Sequence, residues 1–128
     1  MRLLLDTCTF LWWMVDPDKL SPEVRLQLVD QSNEVVLSAV SGWEIALKYR
    51  LGKLPLDRQP SVLVTDAVGR LNISTLQVSM AHGIRSGELP LHHKDPFDRL
   101  LIAQAEIEGL TLISPDTAFA VYDVKTLW

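Results

Sequence analysis

The chain has 128 residues, 48% of them hydrophobic and 22% charged, with a net charge of −4 at pH 7. That is enough apolar material for a single domain, 1–128, with a real core. It is too acidic for a protein held on nucleic acid by bulk basicity, although an enzyme whose acids are neutralised by bound metal stays open. The one cysteine, Cys8, excludes an internal disulfide and a cysteine-rich metal site and fits a reducing, cytoplasmic setting.

Leu3-Leu4-Leu5 is a short apolar run ending at Asp6, the pattern of a strand buried on both faces. Asp6 interrupts the run too early for a leader peptide, and no small-residue cleavage site follows. No apolar stretch is long enough to span a bilayer, so no membrane association is expected. Thr7 to Val15 predicts a short helix, which Asp16-Pro17-Asp18 breaks. Ser21 as N-cap and Pro22 at the first position open the next helix. Val35-Val36-Leu37-Ser38 is a second strand. The helix after it starts at Ser38 or at Ser41 and runs to about Leu51, with Gly52 as its stop. Val62 to Leu71 reads as a helix capped by Ser61, and Leu71 to Leu76 alternates as a third strand would. Ser79 to Ser86 is a short helix ended by Gly87. Leu89 to Lys94 is loop.

The segment Asp95-Pro96-Phe97-Asp98-Arg99-Leu100-Leu101 then opens a longer helix. Asp95 suits the N-cap, Pro96 the first position and Asp98 the third, as in a capping box. Gly109 ends the helix, Leu110 to Ser114 is a strand, Pro115-Asp116 leads into a helical turn, and Val124 to Leu127 is a last short strand. Strands alternating with helices imply an α/β fold with helices on both sides of a mainly parallel sheet.

In an open parallel sheet, ligands bind beyond the C-terminal ends of the strands. Asp6, Glu44 and Asp116 each follow such an end, and Asp98 starts a helix that can point to the same edge. Several carboxylates sharing a cleft must either bind protons or attract a cation. An all-oxygen set with no cysteine favours Mg²⁺ or Mn²⁺, ions that serve phosphoryl chemistry. Each acid also has a purely structural explanation. Asp6 and Asp116 sit where helix caps occur, and Glu44 fits a capping box with Ser41 or an ion pair with Lys48 or Arg50. His92 and His93 lie in a loop without spaced partners, which weighs against a zinc site.

Four blocks, Leu3-Leu4-Leu5-Asp6-Thr7, Ser38 to Ala46, His93 to Ala105 and Leu112-Ile113-Ser114-Pro115-Asp116, resemble in order and spacing the motifs of PIN-domain nucleases. Among these the chain is most similar to the VapC toxins of type II toxin–antitoxin pairs. The resemblance covers essentially the whole chain. It implies a three-layer α/β/α domain with four or five strands, and an Mg²⁺- or Mn²⁺-dependent endoribonuclease. It assigns Asp6, Glu44, Asp98 and Asp116 as catalytic metal ligands, with a metal-activated water cleaving the phosphodiester. Asp95 and Thr7 are candidates for the outer shell, Asp95 leaning to helix cap. Arg99, Lys48, Arg50 and Lys53 are candidates for RNA phosphate contacts. The implied partners are an RNA substrate, an antitoxin that inserts a peptide at the acidic cleft, and a second copy of the chain in a homodimer.

Two other readings compete. A haloacid-dehalogenase-like phosphatase also begins with a strand ending in Asp, but it needs an acid two residues later, where Cys8 stands. A non-catalytic RNA- or protein-binding domain would have no need of the four acids.

Overall fold

A computed structural model describes all residues, 1–128. Five strands, β1 (Arg2–Leu5), β2 (Glu34–Ser38), β3 (Ser74–Leu76), β4 (Thr111–Ile113) and β5 (Thr126–Leu127), form one sheet in the order β3-β2-β1-β4-β5. Every neighbouring pair is parallel, with Leu4 of β1 opposite Val36 of β2 and Leu112 of β4. β1 therefore lies at the centre, and the chain leaves it first in one direction and later in the other.

Six helices cover the sheet: α1 (Thr7–Val15), α2 (Pro22–Val29), α3 (Ala39–Arg50), α4 (Pro60–Arg70), α5 (Met80–Glu88) and α6 (Pro96–Glu108). The pleat sends alternate residues of β1 to opposite faces. Leu3 and Leu5 join Phe10, Val24, Ile45 and Ala67 in one core. Leu4 joins Phe97, Leu101, Ile102 and Phe119 in the other. A strand buried on both sides must be apolar throughout, which is why Leu3, Leu4 and Leu5 follow one another without alternation. The arrangement is the three-layer α/β/α sandwich that the strand–helix alternation implies.

Local signals set most boundaries; one open alternative is resolved and three of the sequence expectations need correction. α3 starts at Ala39 with Ser38 as its cap, so Ser41 lies inside the helix and makes no capping box with Glu44. α4 begins at Pro60 after Gln59 rather than at a Ser61 cap; a proline at the first position is enough. α5 runs through Gly87 to Glu88, and it is capped by Ser79 in a box whose returning side chain is His82. α6 has only half of the expected box: Asp95 accepts from the Asp98 backbone N–H at 3.0 Å, but the Asp98 carboxylate turns away from the cap. At the far end Gly109 adopts φ +66°, the left-handed conformation that glycine takes without strain.

Candidate active site

Asp6 leaves β1 as the N-cap of α1, its carboxylate accepting from Thr9 N–H at 2.7 Å. Its backbone N–H donates to Ile113 O at 3.1 Å, and the Thr9 hydroxyl donates to the same carbonyl. These bonds tie the end of β1 to the end of β4, so Asp6 and Asp116 meet at one edge of the sheet. Asp116 follows β4 through Ser114 and Pro115, and caps the next short turn by accepting from Ala118 N–H at 2.9 Å. Glu44 arrives from the second turn of α3, and Asp98 from the first turn of α6. All four acids line one cleft of about 270 Å³, together with Thr7, Cys8, Pro115 and Phe119.

The cap functions proposed for these acids and a shared site are thus compatible. Asp6 and Asp116 do both. Glu44 is buried and held by two groups. The Thr7 hydroxyl donates to Glu44 Oε1 at 2.6 Å; because it has one proton, Ser41, 3.0 Å away, donates to Thr7 in turn. Lys48, one helical turn on, pairs with Glu44 Oε2. Asp95 does not line the cleft; its carboxylate is spent on the α6 cap.

The cleft lining contains four carboxylates and no basic side chain. Burial pushes the Asp6 carboxyl above its ordinary range, against hydrogen bonds from Ser114 and Thr9 that pull it down. Burial also pushes Asp98 up to about 6, with the Asp95 and Glu44 charges adding to the rise and His93 opposing it. Both shifts have the sign expected where negative charge is crowded without enough compensation. Four carboxylates crowded in one cleft, with Asp6 and Asp98 held above their ordinary range, are a donor set suited to a hard divalent cation. Cys8, at the mouth, is no substitute for an acid: burial and the neighbouring Asp6 raise its thiol to about 11, so it stays protonated and is a poor nucleophile.

Two expectations change here. Arg99 is not a phosphate contact. It is buried, and its guanidinium donates to four carbonyls, one in the last turn of α5 and three in the α5–α6 connection: Ser86 and Leu89 at 2.8 Å, Pro90 at 2.9 Å and His93 at 3.0 Å. It faces away from the cleft because α6 is buried on most sides, leaving a cation at this position only backbone oxygens to neutralise it. His93 is the residue that the spacing argument passed over. Its Nε2 lies 2.6 Å from Asp98 Oδ2, and one donor atom each of His93, Asp98 and Asp116 lie within 4.8 Å of one another. A histidine five residues before an acid across a helix start carries no periodicity, so only its place beside Asp98 in the folded loop reveals it.

Of the remaining basic candidates, Lys48 is committed to Glu44 and lies 6.0 Å over the Phe97 ring. Lys53 makes no ion pair and lines a groove of about 300 Å³ that shares Thr7, Cys8 and Glu44 with the acidic cleft and is walled by Leu11, Trp12 and Leu54. Arg50 is exposed near the end of α3, outside both cavities.

Comparison with known proteins agrees with this geometry. Residues 3–125 match the family model described as PIN domain. Ribonuclease VapC16 of Mycobacterium tuberculosis is 45% identical over 60 residues, a stretch covering 47% of this chain and 43% of that protein, so the alignment spans less than half the length of the relative. The fold is similar to that of VapBC2 from Rickettsia felis bound to a promoter DNA fragment, with a TM-score of 0.73 at 18% identity over 99% of this chain and 98% of that one. It is also similar to DNA-bound VapBC from Salmonella typhimurium, with a TM-score of 0.71 at 15% identity over 99% and 97% of the two chains. The phosphatase alternative has no support in these matches. With the family model spanning nearly every residue and the acids gathered at the edge of an all-parallel sheet, this chain belongs to the PIN domain family.

Proposed function

We propose that the chain is a divalent-metal-dependent endoribonuclease, the toxin of a toxin–antitoxin pair, and that Asp6, Glu44, Asp98 and Asp116 are its catalytic metal ligands. The observation that carries this is the convergence of these four side chains, distant in sequence, on one cleft at the C-terminal edge of the sheet. The relative named a ribonuclease and the VapBC neighbours support the same reading.

Mg²⁺ or Mn²⁺ bound there would supply Lewis-acid stabilisation of the phosphate and a more acidic water. The chain's own residues prepare for this. Asp6 is fixed by the Thr9 N–H, and Glu44 is aimed by the Thr7 hydroxyl, the outer-shell orientation that carboxylate ligands need. Lys48 holds the second oxygen of Glu44 and limits the repulsion among the acids. The groove beside the cleft carries the RNA strand, with Lys53 toward a phosphate and the Trp12 ring offering a surface for a base. Arg50, exposed on α3, supplies a more distant phosphate contact. An antitoxin peptide entering the acidic cleft with a basic side chain would neutralise the carboxylates and exclude both metal and RNA. A homodimer is supported by three exposed apolar residues, Trp43 and Leu47 on α3 and Leu51 at its C-cap.

No helix of the protein is long and apolar enough to cross a membrane. The test is cleavage of single-stranded RNA by the purified chain with Mg²⁺ or Mn²⁺. Asp6→Asn and Asp98→Asn should each abolish it while the circular dichroism spectrum stays unchanged. Tight RNA binding by the wild type with no turnover in either metal would replace this reading with that of a non-catalytic binding domain.

A further inference from the structure

We propose that His93, Asp98 and Asp116 form a second cation position, next to the one bounded by Asp6, Glu44 and Asp98, and that it takes a first-row transition ion such as Mn²⁺ in preference to Mg²⁺. The proposal rests on reading the cleft as a metal site, and it adds a nitrogen ligand that the acid set does not contain.

The geometry is close to what an ion requires. One donor atom from each of the three side chains lies within 4.8 Å of the other two. Two ligands at right angles on an ion about 2.1 Å away are about 3 Å apart. His93 Nε2 and Asp98 Oδ2, now 2.6 Å apart across a hydrogen bond, need to open by only a few tenths of an ångström. The ring is a quarter exposed to solvent, and in its Nδ1–H tautomer Nε2 carries a lone pair free to ligate.

The histidine is also held for the purpose. Its carbonyl is one of the four that Arg99 binds, so the loop delivering the ring is fixed from inside the core. Its ring meets Phe119 edge to face at 6.4 Å, and the Tyr122 hydroxyl ties down Pro90 O at 3.2 Å in the same loop. A ligand whose backbone is anchored in this way stays in place without the ion.

The donor types set the preference. Mg²⁺ is bound through oxygen and keeps its waters, whereas imidazole is a ligand for first-row transition ions, among which Mn²⁺ is the one that also suits the two carboxylates. A site of one imidazole and two carboxylates therefore discriminates against Mg²⁺, while the Asp6–Glu44–Asp98 position, all oxygen, does not. Asp98 belongs to both, with Oδ2 already turned to His93.

The experiment is Mn²⁺ binding by the full chain, followed by electron paramagnetic resonance in about a hundredfold excess of Mg²⁺, conditions under which an oxygen-only site is taken over by Mg²⁺. The expected result is one Mn²⁺ retained by the wild type, with a nitrogen hyperfine coupling. His93→Gln keeps an N–H toward Asp98 but has no ligating nitrogen. It should lose the coupling and bind Mn²⁺ at least about tenfold more weakly, with Mg²⁺ affinity changed less than about twofold. His93→Ala should behave in the same way. Complete displacement of Mn²⁺ from the wild type overturns the proposal. So does a His93→Gln protein that still retains Mn²⁺, since His93 would then act only as a hydrogen-bond donor. RNA cleavage is scored separately in Mg²⁺ and in Mn²⁺: cleavage in either metal without Mn²⁺ retention against Mg²⁺ overturns this proposal and leaves the nuclease reading standing, and Mn²⁺ retention with no cleavage in either metal does the opposite.

Discussion

Replacing Arg99 by Met tests whether a buried cation organises the loop beside the cleft. Methionine fills most of the same volume, so the change removes four hydrogen bonds with little cavity. The bond to Leu89 O is fully buried, and its loss leaves a carbonyl unsatisfied at about 1–3 kcal/mol. The Ser86, Pro90 and His93 carbonyls are only part-buried and can recover water, so each costs about 0.5–1 kcal/mol. Removing the unfavourable burial of the charge returns some of this. A net loss of about 2–4 kcal/mol is a large share of the ~5–15 kcal/mol that holds a domain together. For a chain of 128 residues it corresponds to a Tm lower by about 7–15 °C, at roughly 3–4 °C per kcal/mol. Thermal melts followed by circular dichroism in EDTA measure it. Arg99→Lys should recover less than half, because an ammonium cannot reach four carbonyls in a planar fan. A Met variant melting within about 3 °C of the wild type would refute the reasoning, and with it the idea that the loop is anchored from the core.

The pH dependence of stability carries a definite sign. Asp98 has a folded pKa of about 6 against an ordinary 3.8, so the folded state holds its proton more tightly than the unfolded one. The stability that this contributes is fully present below pH 3.8 and is lost as the pH rises through about 6; Asp6, shifted in the same direction, adds to the trend. Metal-free protein should therefore melt lower at pH 7 than at pH 5 in EDTA, Asp98→Asn should flatten the slope, and Mn²⁺ should restore Tm at pH 7 but little at pH 5. Thr7→Val removes the donor to Glu44 Oε1 and should weaken metal binding by about 10–100-fold in a calorimetric titration, the usual scale for an outer-shell partner. Lys53→Ala should raise KM for RNA several-fold with kcat within about twofold and with a shallower salt dependence, while Arg50→Ala should have the smaller effect of the two.

The parts of the fold that the sequence makes legible are those fixed by neighbours in the chain. Leu3-Leu4-Leu5 declares a doubly buried strand, and Asp95-Pro96 and Ser21-Pro22 declare helix starts, because capping and proline geometry are local. Gln59 before Pro60 carries no capping side chain, so the nearby Ser61 misleads; the proline alone sets the boundary. The four acids are legible for a different reason. Asp6 and Asp116 stand just past strands, Asp98 at a helix start and Glu44 in the second turn of the helix after β2, and parallel topology brings such places to one edge. Arg99 and His93 are illegible in the same way: what decides their roles is a loop of six residues that folds back over α6. Seen along the chain, Arg99 is a helix-face charge beside an acid. In the fold its only neighbours are carbonyl oxygens, and the loop they belong to is what sets His93 against Asp98.

The sheet order has a consequence for how this protein comes into being. The strand β1, Arg2–Leu5, occupies the middle of the sheet, and one of its two flanks is completed only by Thr111–Ile113, far along the sequence. Asp6 waits on the same event, since its amide is held by Ile113 O. Until that segment joins, β1 has an open flank and the cleft lacks Asp116, so the acid set is complete only in the complete sheet.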